Sequence, residues 1–266
     1  MKNYNSTIIH KEFQDNNLIE IRDTATQRAL FFNTQHLQSA MSFQDPQELI
    51  LSYTRYMLLG LLINQYPKNI LIIGLGSGSF VRFFHHFYPD SQIDGVDYSQ
   101  HVIDIAKGYF QLPETENIQI ICADGNDYVK RSCMERKYDL ILVDAFDAQG
   151  MAPSIYTESF FNTVQEMLTE EGSISFNLWS SDKKLFGDIK KTLANTFTSS
   201  LLIPVPDRGN VIAVTMNQEI PWNKIDLPKK EIKALSDRLD LDFNQLVRVA
   251  KQNNGALKSI LKSLFR

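Results

Sequence analysis

Asp144 and Asp147 close the segment Asp144-Ala145-Phe146-Asp147, directly behind the apolar run 140–143. Two carboxylates at one strand end can bind a cation and accept its proton, or form no more than an acidic turn. A second segment, Gly74-Leu75-Gly76-Ser77-Gly78, follows the apolar run 70–73 and precedes a helical pattern. Glycines there permit a tight turn and let a ligand approach the backbone, although the pattern alone also occurs in plain strand–helix turns. Asp97 ends the next apolar run, 23 residues after Gly74. A carboxylate in that place can accept two hydrogen bonds from ribose hydroxyls, or cap the helix that follows. Asp124-Gly125 comes after the third run. Asp124 either faces an adenine amino group or bonds its own backbone in a turn.

Other chemistries lack their residues. There is no G-x-S-x-G nucleophile turn, and no lysine follows the glycines as a triphosphate-binding loop requires. Cys122 and Cys133 are the only cysteines and suggest neither a disulfide framework nor a zinc site. His85 and His86 sit among Phe83, Phe84 and Phe87 and read as core-edge residues, so no metal is expected. The net charge of −4 argues against nucleic-acid binding by the whole chain. Residues 224–266 are the exception, with ten Lys and Arg against five Asp and Glu. The N-terminal residues lack the apolar core of a signal peptide. The longest apolar run, 57–63, is far short of the roughly 20 residues that span a bilayer. A cytoplasmic protein with no membrane partner is expected.

The elements that must position these residues follow from hydrophobic period. Residues 7–33 alternate apolar and polar side chains and predict a β-hairpin unit. Asp45-Pro46, with Glu48 behind it, predicts a capped helix start. That helix carries Leu49, Tyr53, Tyr56, Met57, Gly60 and Leu61 on one face. From residue 69 onward, strands at 70–73, 93–96, 118–121, 140–143 and 173–177 alternate with helices that include 99–109 and 158–168. The runs 201–204 and 211–215 predict an antiparallel edge hairpin. Buried strands alternating with helices imply an α/β fold, a Rossmann-like, doubly wound and mostly parallel sheet. Its strand order of 3-2-1-4-5 brings Gly76 and Asp144 to one crevice at the topological switch point. Residues 228–266 predict amphipathic helices with breaks near Asp240 and at 253–255, read as a solvated packing pair. The expected units are 1–44, 45–222 and 223–266.

With these residues in view, the chain from about 19 to 215 resembles the spermidine synthase (polyamine aminopropyltransferase) family, whose core is methyltransferase-like. The resemblance implies a cofactor site of Gln38, Gly74, Gly76, Ser77, Gly78, Asp97, Asp124 and Gly125. It implies Asp144 as the catalytic acid–base and Asp147 and Tyr53 as amine-binding residues. The implied reaction moves an aminopropyl group from decarboxylated S-adenosylmethionine to an amine such as putrescine, without a metal, in a homodimer.

Three positions depart from the family. Ser77 stands where the family has an aspartate that pairs with the ammonium of the decarboxylated cofactor. Thr54-Arg55 follow Tyr53 in place of a His or Gln and a Glu. Val205-Pro206-Asp207-Arg208-Gly209 lacks the family's substrate-holding tyrosine. Ser77 opens a second reading, methyl or aminocarboxypropyl transfer from intact S-adenosylmethionine. A third is a non-catalytic nucleoside-binding module, since fold does not dictate function.

Overall fold

In the computed structural model, residues 6–14, 17–33, 36–133, 135–147, 150–206 and 208–264 are described, without the side chains at 17, 36, 147 and 255–264. The N-terminal alternation builds more than a hairpin. β1 (Thr7–Gln14), β2 (Asn17–Asp23), β3 (Gln27–Phe32) and β4 (His36–Ser42) form an antiparallel sheet in that order. Its apolar face, Ile19, Ile21, Leu30 and Met41, packs on Ile105 and Phe110.

The first helix starts later than its expected cap. Residues 45–51 hold a turn at 46–47 and no helix, and α1 runs Ser52–Met57 into a 3-10 turn over Leu58–Leu62. The reason lies in the carbonyls. Arg82 Nε takes Pro46 O, and Arg55 takes Leu49 O and Ile50 O. Side chains thus satisfy acceptors that a helix over this stretch would have used.

The Ile- and Val-rich runs become the parallel strands β5 (Asn69–Ile73), β6 (Gln92–Asp97), β7 (Ile118–Cys122), β8 (Tyr138–Val143) and β11 (Leu168–Trp179). Their crossovers carry α2 (Ser79–Phe87), α3 (Gln100–Tyr109), α4 (Gly125–Ser132) and α5 (Glu158–Glu166). A two-residue pair, β9 (Phe146–Asp147) and β10 (Gly150–Met151), lies behind β8. After α6 (Lys183–Thr196), β12 (Ser199–Pro204) and β13 (Asn210–Met216) return as the expected hairpin. β13 sits between β11 and β12, so the full order is β12-β13-β11-β8-β5-β6-β7.

Side chains alternate between two cores, as a sheet covered on both faces requires. Ile70, Ile72, Leu140 and Leu142 enter one, with α1 and the C-terminal helices. Leu71, Ile73, Ile141 and Val143 enter the other, with α4, α5 and α6.

After the short α7 (Trp222–Ile225), the C-terminal pair is α8 (Lys229–Leu239) and α9 (Phe243–Leu264). Its apolar face, including Leu235, Leu239, Phe243 and Leu246, belongs to the first core. The break at Asp240 is present, with φ 51°. The expected break at 253–255 is absent, because both asparagines find helix-compatible partners. Asn253 and Asn254 donate to the carbonyls of Val249 and Ala250. Asn254 also brackets Leu202 of β12, accepting from its N–H and donating to its carbonyl. No helix among the described residues is long and apolar enough to cross a membrane.

Candidate active site

The carboxyl ends of β5, β6, β7, β8 and β11 open into a cavity of about 890 Å³, roofed by Gln38 and Ser39 of β4. In the glycine turn, Gly74, Gly76 and Gly78 take φ values of 92°, 53° and 80°, which L side chains adopt rarely. Arg82 supports this turn from below, donating to the carbonyls of Ser77 and Phe110. It is 4% exposed, and burial pushes its pKa down to about 10, so it remains a cation at neutral pH.

Asp97 is buried and already holds the turn. Its Oδ2 accepts from Leu75 N at 2.9 Å and its Oδ1 from Ser99 N at 3.0 Å. Burial raises its pKa against the lowering effect of those N–H groups. Each oxygen keeps a lone pair, and the residue lines the cavity. Asp124 realises its local alternative as the cap of α4, accepting from Asn126 N and Asp127 N. Its Oδ2 accepts from Ser154 Oγ at 3.2 Å, and it too lines the cavity. Gly125 is a packing requirement, since a Cβ there would lie 2.6 Å from Ile73 Cγ2.

Asp144 stands opposite the glycine turn. Asp144 N donates to Ile73 O at 2.8 Å. Its carboxyl is clamped on both sides, Tyr53 Oη donating to Oδ2 and Asn177 Nδ2 to Oδ1, each at 2.8 Å. Burial raises its pKa, while the bonds from Asn177 and Tyr53 pull it down. Burial and the charge of Asp144 together hold the Tyr53 hydroxyl well above its ordinary value, so it serves as a donor. Tyr53 lines the cavity, and its ring also packs against the first core.

Of the residues singled out in the sequence, Gln38, Tyr53, Gly74, Gly76, Asp97, Asp124, Gly125 and Asp144 line this one cavity. Ser77 points elsewhere. It is fully buried, with its hydroxyl 2.6 Å from Ser39 Oγ, and Ser79 faces the cavity instead. Gly78 packs below the turn near Leu112. The Asp147 side chain lies outside the described ones, as does Asp207. Arg55 turns its guanidinium onto the carbonyls of Leu49 and Ile50 and is absent from this cavity's lining.

Sequence reasoning missed Asn177, Asn210 and Tyr156. Asn210 Nδ2 donates to Asn177 Oδ1 at 2.9 Å, and Tyr156 Oη donates to Asn177 O at 2.8 Å. These bonds orient the amide that holds Asp144. The available signal was an asparagine inside the strand pattern Ile174-Ser175-Phe176-Asn177-Leu178, where a buried amide must find partners.

Residues 51–221 match the family model described as spermine/spermidine synthase domain. A polyamine aminopropyltransferase of Chromobacterium violaceum is 37% identical over 238 residues, covering 89% of this chain and 90% of that protein. A spermidine synthase crystallised with the transition-state analogue AdoDATO superposes with a TM-score of 0.72 at 16% identity. That match covers 94% of this chain and 88% of the other. Human methyltransferase-like protein 13 in complex with SAH gives a TM-score of 0.63 at 22% identity, over 74% of this chain and 93% of that one. The two structural matches bear on fold and not on substrate.

Proposed function

As a chain that belongs to the spermine/spermidine synthase family, this protein, we propose, transfers an aminopropyl group from decarboxylated S-adenosylmethionine to a small-molecule amine. The supporting observation is the Asp144 carboxyl, clamped by Tyr53 and Asn177 in the cavity that Asp97 and the glycine turn line. Asp97 takes the ribose hydroxyls on its remaining lone pairs. Asp124 faces the nucleoside's base side, and Gln38 lies near the nucleoside.

The acceptor reaches the site as an ammonium, because alkyl amines have pKa values near ~10. Asp144 removes one proton, and the freed nitrogen lone pair attacks the aminopropyl carbon bonded to sulfur. The carbon–sulfur bond breaks and its electrons return to the sulfonium, leaving neutral methylthioadenosine. The new C–N bond carries the aminopropyl group, and Asp144 passes its proton to water. Holding both partners in line contributes roughly 7–11 kcal/mol to lowering the barrier. Tyr53 and Asn177, both neutral donors, hold the carboxylate in one orientation. We further propose a cytoplasmic homodimer, following the family resemblance.

Ser77 supports a second reading, transfer of a methyl or aminocarboxypropyl group from intact S-adenosylmethionine. Its hydroxyl is turned to Ser39, so the glycine turn carries no carboxylate to repel the one on the intact nucleoside. Differential thermal stability separates the readings. A nucleoside at 100 times its Kd stabilises by about 2.7 kcal/mol. Aminopropyl transfer requires a shift with the decarboxylated nucleoside and methylthioadenosine, and an aminopropylated amine in the product mixture. A shift with only intact S-adenosylmethionine and S-adenosylhomocysteine would move the assignment to the second reading.

The Tyr53→Phe variant adds a pH test. Its hydroxyl lowers the Asp144 pKa, so removing it raises that pKa. The acid limb of the kcat/KM profile is then expected to move to higher pH, with a loss of about tenfold at neutral pH. A profile that stays in place would detach Tyr53 from the base.

A further inference from the structure

A second cavity of about 710 Å³ adjoins the first, between α1, the β12–β13 loop and the turn joining α8 to α9. Trp179, Arg208 and Asn210 line both cavities. Asn210 connects this space to the reaction centre through Asn177 and then Asp144. Nothing in the proposed transfer uses it.

Its lining is charged in a particular way. Arg55 on α1 and Arg208 on the β12–β13 loop line it, together with Asp240 and Asp242 on the turn between α8 and α9. Arg208 Nε is held 3.2 Å from Ser52 Oγ, and no carboxylate among the described residues pairs with its terminal nitrogens. Arg55 spends Nε and one terminal nitrogen on backbone carbonyls and makes no ion pair among those residues. The Arg208 charge acts on the Tyr53 hydroxyl, which is bonded to Asp144. A guanidinium therefore stands within electrostatic reach of the place where the acceptor is deprotonated. Tyr56 adds an independent observation. It lines the second cavity, is 4% exposed, and its hydroxyl has no partner among the described residues.

A bare diamine brings a second ammonium, which two guanidiniums repel. A carboxylate on the acceptor reverses that interaction, because arginine matches carboxylate geometry with paired N–H groups. An α-ammonium beside that carboxylate can pair with Asp240 and Asp242, which line the same cavity.

We infer that the second cavity is the outer half of the acceptor site, and that it takes the amino-acid end of a diamino acid. The acceptor is then an amine that carries a carboxylate. This rests on the aminopropyl-transfer reading for its role, but its binding test does not.

Ornithine and putrescine differ only by that carboxylate and serve as matched probes. Each is titrated calorimetrically into the protein saturated with methylthioadenosine. Ornithine is expected to bind about tenfold more tightly than putrescine. Arg208→Met should abolish the preference and Arg208→Lys restore part of it, both substitutions falling at an exposed side chain where folding is not at stake. Equal affinities, tighter binding of putrescine, or a preference that survives Arg208→Met would each overturn the inference. A parallel turnover assay with the decarboxylated nucleoside keeps the two ideas apart. Putrescine turned over without an ornithine preference would sink this inference and uphold aminopropyl transfer. Ornithine binding with no transfer to any amine would do the reverse.

Discussion

Replacing Asp144 with Asn is expected to lower kcat by about a hundred- to ten-thousand-fold, the usual contribution of a positioned general base. Binding of methylthioadenosine should stay within about threefold, because the acid acts on the acceptor and not on the nucleoside. The substitution keeps shape and one carbonyl acceptor for Tyr53 or Asn177 but removes the proton acceptor. The wild-type rate should fall as pH drops through the Asp144 pKa, which burial has raised. The Asn variant should lack that limb.

Stability should move in the opposite sense to activity. A carboxyl whose pKa is higher in the folded chain still holds its proton over a window beginning near the ordinary value of 3.8. The unfolded chain has already released its proton in that window, so stability declines as pH rises through it. Asn carries no charge to bury. At neutral pH the variant's Tm should therefore equal or exceed that of the wild type. A Tm that falls in step with activity would make Asp144 a structural residue, and an unchanged kcat would place the base elsewhere.

The sheet and its crevice were legible because both rest on short-range rules. Runs such as 70–73 and 140–143 are too short for helices and end at Gly74 and Asp144. Strand order then brings those ends together, and the structure has Asp144 N bonded to Ile73 O. The hairpin at 201–215 followed from the closeness of its two runs, although its exchange of order, with β13 inside β12, is a tertiary choice that no local pattern encodes.

What was not legible depends on partners distant in the chain. The expected helix start at Asp45 failed because Arg82, 36 residues away from Pro46, takes its carbonyl. The expected break at 253–255 failed because Asn254 found Leu202, 52 residues away. Asn177 escaped notice for the same reason, its role being defined by Asp144 and Asn210, each 33 residues distant. The inward turn of Ser77 depends on Ser39 in another sheet. Local pattern singled out the acids, whereas the amide that holds Asp144 and the arginine beneath the glycine turn needed the fold.

Gly74→Ala is expected to cost more than about 4 kcal/mol of stability, beyond the usual range for one substitution. Two separate penalties coincide there. The residue has φ 92°, and a Cβ would lie 2.2 Å from Asp144 O and 2.6 Å from Asp144 C. Those atoms are backbone at the end of a central strand, so no rotamer change relieves the overlap. Either β5 and β8 part at Ile73 and Val143, which are paired in register, or the segment carrying Asp144 moves away from Tyr53 and Asn177. Gly76→Ala is the control. It shares the left-handed backbone, at φ 53°, but its nearest neighbours are Ser39 side-chain atoms at 3.9 Å. Only the conformational cost remains, roughly 1–2 kcal/mol. Urea denaturation with matched m values reads the difference as a shift in midpoint. In whatever fraction of Gly74→Ala folds, the Asp144-dependent limb of the pH profile should be lost, whereas Gly76→Ala should keep it. Equal costs for the two substitutions would mean that the contact between the glycine turn and the Asp144 segment yields freely. The base would then owe its position to Tyr53 and Asn177 alone.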